Sequence, residues 1–193
     1  MQNIEIEYKN LLTKNEYKRL LSALPFPEKG MKQINYYFET ADLQLARKKC
    51  ALRIREKNNK YTLTIKEPHP DGILETHATL TEEEAEQWIK GKPVLKPTIE
   101  QQLRSLQISP KELISYGNLT TFRRSILIDR CELVMDHSKY NDRYDFELEL
   151  EAPDQKTGKA LFQNILKTYN IQQRKVKNKI ERFFSTLPDK YNR

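Results

Sequence analysis

The chain has 193 residues, 37% hydrophobic and 32% charged, with 34 Lys and Arg against 27 Asp and Glu for a formal charge of +7. That length suits one domain with a proper core, and the basic excess favours anionic partners without choosing among nucleotide, polyphosphate, nucleic acid and membrane. Cys50 and Cys131 lack paired-motif spacing, no apolar run approaches the ~20 residues that cross a bilayer, and no signal segment opens the chain, so the expected setting is a reducing cytoplasm.

The first predicted strand covers residues 3–9. Within it Glu5, Glu7 and Lys9 alternate with Ile4, Ile6 and Tyr8, so two carboxylates and an ammonium share one face. Thr13 with Glu16 is a capping box that opens a helix to about Leu24, stopped by Pro25 and Pro27. Strands follow at 33–39, 50–56, 60–67 and 73–79. In the second of these Leu52 and Ile54 alternate with Arg53 and Arg55; in the third, Leu63 and Ile65 alternate with Thr62, Thr64 and Lys66. Thr81 with Glu84 opens a helix ending before Gly91 and Pro93. Thr98 with Gln101 opens another to about Gln107, with a short helix after Pro110, and 81–116 reads as a helical insertion between strands. Three more strands are predicted at 119–129, 131–136 and 144–152. The last sets Phe146, Leu148 and Leu150 against Glu147, Glu149 and Glu151. A helix over about 157–169 and a final one over about 177–187 precede a loose end from Pro188. No Pro/Gly/Ser linker divides the chain, which predicts a single domain over 1–193.

These eight strands predict an α+β protein built on one antiparallel sheet. An ordinary half-exposed sheet would also alternate polar and apolar residues. Here, however, charge is sorted by sign within strands, and like charges placed side by side repel. Acids cluster on the first and last strands and guanidiniums between them, the arrangement a charged ligand with cations requires. Closing such a sheet would place the charged face inside a water-filled barrel with the helices outside. No Gly-rich phosphate cradle, zinc spacing or nucleophile elbow is present, so phosphate binding must come from strand side chains. His77 shares a face with Glu75, His69 lies in a loop, and His137 faces away from Asp136.

The ordered motifs resemble those of the CYTH superfamily, the triphosphate tunnel metalloenzymes. They are Glu5-x-Glu7-x-Lys9, Asn35-Tyr36-Tyr37-Phe38, Leu52-Arg53-Ile54-Arg55, Thr64-Ile65-Lys66 and Leu74-Glu75. Thr121-Phe122-Arg123, Asp136 at a strand end, Glu147 to Glu151 and Lys179-Ile180-Glu181-Arg182 complete the series, which spans residues 4 to 183 and looks most like the small single-domain bacterial branch. The resemblance implies an eight-stranded antiparallel closed barrel, a tunnel whose charged lumen binds a linear triphosphate with Mg²⁺ or Mn²⁺.

On that pattern Glu5, Glu7, Glu147, Glu149 and Glu151 are the candidate metal ligands, since carboxylate oxygens suit hard divalent cations. Lys9, Arg53, Arg55, Lys66, Arg123, Lys179 and Arg182 are candidates for the phosphates, arginine as a bidentate fork and lysine as a point charge. Arg123 shares parity with Thr121 and Ser125 on the polar face, whereas Arg124 falls with Phe122 and Ile126. Glu75 and Asp136 are candidates for orienting water or tuning a lysine, or else for holding an arginine in place, and Lys179 would reach back toward the phosphates. The expected activity is a metal-dependent triphosphatase, with inorganic triphosphate the first choice and nucleoside or thiamine triphosphate next. The alternatives are a class IV-type adenylyl cyclase, for which no adenine pocket is evident, and a non-catalytic triphosphate or polyphosphate sensor. A nucleic-acid partner is disfavoured for want of a stacking platform. A membrane partner is not expected, and the chain could be a monomer or a homodimer.

Overall fold

The computed structural model describes residues 1–187, so the loose end expected from Pro188 lies outside the described residues. Among these residues there are nine strands and six α-helices: β1 (Gln2–Glu5), β2 (Glu7–Leu12), α1 (Lys14–Ala23), β3 (Met31–Thr40), α2 (Gln44–Arg47), β4 (Ala51–Lys57), β5 (Lys60–His69), β6 (Gly72–Leu80), α3 (Glu82–Ile89), α4 (Pro97–Ser105), β7 (Leu113–Ile128), β8 (Cys131–Tyr140), β9 (Arg143–Glu151), α5 (Gln155–Thr168) and α6 (Lys179–Phe184). The class is the expected α+β, antiparallel throughout the paired registers. The chain gathers into two compact units, each assembled from separated stretches: Met1–Ile4, Gln33–Leu119 and the chain from Lys179 in one, Glu5–Lys32 and Thr120–Asn178 in the other.

In the first unit the strand order is β1-β6-β5-β4-β3, followed by the start of β7. The apolar parity places Phe38, Leu52, Ile54, Leu63 and Ile65 in one core with Trp88, Ile99 and Leu103 of α3 and α4. Phe38 meets Trp88 edge-on at 5.2 Å, and the indole N–H donates to the Val94 carbonyl at 2.8 Å, so the one polar atom of that ring is satisfied. Glu39, 1% exposed, accepts from the backbone N–H groups of Thr40, Leu45 and Ala46 and so secures α2 after its strand.

In the second unit the order is the end of β7, then β8, β9 and β2. Its apolar parity packs Leu12, Leu133, Met135, Phe146, Leu148 and Leu150 with Tyr17 and Leu20 of α1 and Phe162, Ile165 and Leu166 of α5. Thr13 and Glu16 form the predicted capping box. Gly158 lets α5 approach β2 closely: a Cβ there would stand 2.5 Å from the Tyr8 ring and 2.6 Å from Ala152. Asn10, fully buried, donates to the carbonyls of Leu11 and Gln172 and accepts from the Arg174 N–H, tying the extended 171–178 segment to β2.

Four expectations need correction. The predicted strand over 3–9 is two strands, which makes nine in place of eight. It breaks at Ile6, whose carbonyl accepts from Ala152, and its halves take different partners: β1 adjoins β6, β2 adjoins β9. The helix expected to start at Thr98 starts at Pro97 with Lys96 as its cap and no side-chain cap bond, because Pro sets the first helical φ without needing a donor. Strand β7 begins at Leu113, six residues before the expected 119, so the helical insertion ends at the 3-10 turn Pro110–Glu112. The short α2 had no side-chain cap to announce it, since its cap residue Leu43 sits at φ 60° without a capping bond.

Candidate functional site

Each unit has one polar sheet face, and the strand registers decide what stands on it. In the first unit Tyr37 pairs with Arg53, Asn35 with Arg55, Arg53 with Thr64, Thr64 with His77, and Lys66 with Glu75. Residues opposite one another share a face, so Arg53, Arg55, Lys66, Glu75 and His77 are brought together. Glu75 is 6% exposed and organises the group. Its Oε1 lies 2.5 Å from Lys66 Nζ and 3.9 Å from Arg53 Nη2, and its Oε2 lies 3.0 Å from His77 Nε2. Burial alone would raise its pKa. The charges of Lys66 and then Arg53 outweigh burial and hold the carboxyl well below the ordinary range. Arg55 Nε donates to Asn35 at 3.1 Å, while the buried Arg53 Nε has no hydrogen-bond partner among the described residues.

Helix α6 carries Lys179, half-buried, and Arg182, 9% exposed. It belongs to this unit and packs by Phe183 against Tyr37, the cross-strand neighbour of Arg53, with ring centroids 5.4 Å apart. Gly117, at φ +120°, makes room for that ring: a Cβ there would meet Phe183 at 3.3 Å.

The second unit reverses the sign. Lys9 pairs with Glu149, Glu7 with Glu151, Arg123 with Asp136 and Asp136 with Glu147. Arg123 is the hub, its parity as expected. Nε and Nη2 donate to the two oxygens of the fully buried Asp136 at 2.9 and 2.7 Å, and Nη2 also reaches Glu149 at 2.6 Å. Burial works against its charge, but Asp136 and then Glu149 raise its pKa further above the usual arginine value. Lys9 donates to Glu7 at 2.5 Å, and its pKa is raised despite burial by Glu7, Glu149 and Glu147. Glu151 is left over: burial and the charge of Glu5 push its carboxyl up to about 7, with Arg123 opposing. Arg124 falls on the other face and holds the 25–30 loop through the carbonyls of Pro27 and Glu28, and His137 stacks on Phe146 at 4.7 Å.

Among the described residues no three His, Cys, Asp or Glu side chains stand arranged to hold a metal ion. The reason is visible in the pairing: Glu7 and Glu149 are turned onto Lys9 and Arg123. The donor set nevertheless fits a hard divalent cation, being carboxylate oxygen throughout, and the crowding that lifts Glu151 is the effect such a cation would relieve. No helix among the described residues is long and apolar enough to cross a membrane.

Residues 3–184 match the family model for the CYTH domain. The chain belongs to the CYTH family. A curated CYTH-length relative, "Putative triphosphatase YjbK" of Bacillus subtilis (strain 168), is 43% identical over 184 residues, 95% of each chain. A crystal structure from Bacillus halodurans, named a putative adenylate cyclase, superposes with a TM-score of 0.92 at 41% identity, covering 95% of this chain and 98% of that one. A protein from Hippeastrum, described as a putative adenylyl cyclase with a dominant triphosphatase activity, superposes with a TM-score of 0.76 over 96% of each chain; at 23% identity it shares the CYTH fold.

His77 faces Glu75 without being among the site candidates, and the only signal for it was parity: it falls on the charged face of the strand that also carries Glu75.

Proposed function

We propose that this CYTH protein hydrolyses a linear triphosphate in the presence of Mg²⁺ or Mn²⁺, with inorganic triphosphate the preferred substrate and nucleoside or thiamine triphosphate next. The observation that carries the reading is the sorting of charge: a guanidinium and an ammonium around one buried carboxylate on the first unit's face, and carboxylates in excess on the second's. The YjbK relative's name points to the same chemistry.

In this reading Arg53, Arg55 and Lys66, helped by Lys179 and Arg182, bind phosphoryl oxygens. Arg53 is well suited to that role because its buried Nε still has a donor to offer. Glu75 pairs with Lys66 and holds its ammonium in place. Glu5, Glu7, Glu147, Glu149 and Glu151 would hold the cation, and the bound ion would supply charge neutralisation at the phosphoryl oxygens. Asp136 fixes Arg123, which with Lys9 sets the positions of the acids and offers its remaining N–H groups to phosphate. Phosphoryl transfer depends mainly on such positioning and electrostatics.

The name carried by the Bacillus halodurans relative keeps cyclisation of ATP as the second reading. Both are tested by measuring orthophosphate and pyrophosphate release from inorganic triphosphate, ATP, GTP and thiamine triphosphate, with Mg²⁺, with Mn²⁺ and with chelator. Orthophosphate release that requires metal and is abolished by Glu5→Ala is the expected result. Pyrophosphate released from ATP alone would establish the cyclase, and tight triphosphate binding without turnover would mark a receptor.

A further inference from the structure

The charged face of the first unit does not end with the cations assigned to phosphate. In the β4–β5 hairpin Arg53 stands opposite Thr64, Arg55 opposite Thr62 and Lys57 opposite Lys60. Side chains two apart on a strand share a face, as do cross-strand partners. Lys57 therefore continues the row of Arg53 and Arg55, and Lys60 continues the row of Lys66, Thr64 and Thr62. Arg53 to Lys57 is ~13 Å along the strand, at ~3.3 Å per residue. That is longer than the two anhydride links of a triphosphate, so the tip lysines stand beyond a triphosphate centred on Arg53 and Lys66.

The turn itself does not ask for them. Asn58 and Asn59 carry it with φ of 52° and 58°, the left-handed pair of a two-residue type I′ hairpin that asparagine tolerates. Two ammonium groups directly opposite one another repel. The β5–β6, β7–β8 and β8–β9 hairpins avoid that: His69 faces Gly72, Ile128 faces Cys131 and Tyr140 faces Arg143. Nor does an acid relieve the repulsion, since among the described residues neither Lys57 nor Lys60 forms an ion pair. Glu56, next to Lys57, has the opposite parity and accepts from the Tyr36 hydroxyl at 3.2 Å.

Both lysines are exposed, and exposure decides what they can do. A solvated ammonium adds little to a direct contact, because water and salt screen it. Its field still reaches an approaching polyanion over about 10 Å at 0.1 M salt, and a set of like charges raises the rate of encounter. We propose that Lys57 and Lys60 are capture residues, drawing the triphosphate polyanion by long-range attraction toward Arg53, Arg55 and Lys66 and favouring substrates in order of their negative charge. This rests on the triphosphatase reading and names residues outside the cations assigned there. It also supplies a physical ground for preferring inorganic triphosphate to thiamine triphosphate, whose thiazolium cation offsets part of its phosphate charge.

The test is a charge series with both positions changed together: wild type, Lys57→Arg with Lys60→Arg, Lys57→Gln with Lys60→Gln, and Lys57→Glu with Lys60→Glu. Each protein is assayed with Mg²⁺ or Mn²⁺ on inorganic triphosphate, with thiamine triphosphate as second substrate or competitive inhibitor, between about 0.02 and about 0.5 M salt. Thermal melts run alongside. At low salt, kcat/KM for inorganic triphosphate should be unchanged in the arginine pair, about threefold to tenfold lower in the glutamine pair and lower again in the glutamate pair, with kcat within about twofold throughout. The losses should be smaller for thiamine triphosphate and should shrink below about twofold at the highest salt. The glutamine pair should melt no lower than wild type, since it removes a repulsion. Indifference of kcat/KM to tip charge at low salt, equal losses in the arginine and glutamine pairs, equal losses on the two triphosphates, or a loss that persists at high salt would overturn the proposal. A wild type that neither binds nor turns over any triphosphate at any salt would overturn the function proposed above and the capture role with it. Failure of the lysine assignment alone leaves wild-type turnover intact, so the two failures are told apart.

Discussion

On the first unit's polar face Arg53 and Lys66 share one carboxylate, Glu75; on the second's, one guanidinium, Arg123, serves Asp136 and Glu149 and lies 3.7 Å from Glu151. Glu75 is buried and Arg123 half-buried, and what surrounds them differs. Around Glu75 the side chains of Arg53 and Lys66 keep 15% and 21% exposure, so water can take over if the hub is lost. Around Arg123 the two hydrogen-bonded acids, Asp136 and Glu149, keep 0% and 8%, while the more distant Glu151 keeps 33%. The same alternating strand therefore builds, in one unit, a buried carboxylate between partly exposed cations and, in the other, a partly exposed guanidinium locked onto two buried acids. Stability should depend on the second and ligand recognition on the first.

The largest expected effect follows from the locked face. Arg123→Met takes the guanidinium away from two buried acids, Asp136 and Glu149, and should cost ~3–5 kcal/mol in denaturant unfolding. Glu75→Gln, its mirror image, strands cations that water still reaches and should cost only ~1–3 kcal/mol while weakening triphosphate binding. Equal losses from the two substitutions would erase the distinction between the faces.

Glu151→Gln should act in the opposite direction. A carboxyl raised from 4.5 to about 7 binds its proton more tightly in the folded chain, so its ionisation erodes stability as pH climbs from 4.5 toward 7. The glutamine variant should then be more stable than wild type by ~1 kcal/mol at pH 8, a figure reduced for the side chain's partial exposure, with no advantage below about pH 4.5. It should also be the poorer metal-dependent enzyme. Melts across that pH range, paired with activity, check both halves.

The smallest effects distinguish caps that form from one that does not. Thr13→Ala and Thr81→Ala each remove a formed capping box and should cost ~1 kcal/mol in thermal melts. Thr98→Ala, in a helix capped at Lys96, should change stability by less than about 0.5 kcal/mol.

Which side chains share a charged face could be read in advance because a strand's two-residue period assigns faces without knowledge of neighbours. Arg123 went to the charged face and Arg124 to the other on parity alone, and the registers agree. Partner choice is a different kind of information. Nothing local distinguishes Asn3 from Lys9, yet β1 and β2 join different units because the break at Ile6 is set by Ala152, far along the chain. Local signals misled where two competed: Thr98 and Gln101 spell a capping box, but Pro97 had already started the helix. Gly117 hid the early start of β7, since its positive φ serves the Phe183 ring and not the strand pattern. That Glu7 and Glu149 would be turned onto Lys9 and Arg123 depended on rotamers that no periodicity encodes.

The pairing of β2 with β9 also constrains how the chain is made. During synthesis Glu7–Leu12 emerges more than a hundred residues before its register partners in Phe146–Glu151. Until then Tyr8 and Leu12 have no β9 to pair with, and closing so long a loop is slow. A nascent chain stalled before Arg143 should therefore keep its β2 segment open to proteases and chaperones, and protection there should appear in one step, once Phe146–Glu151 has emerged.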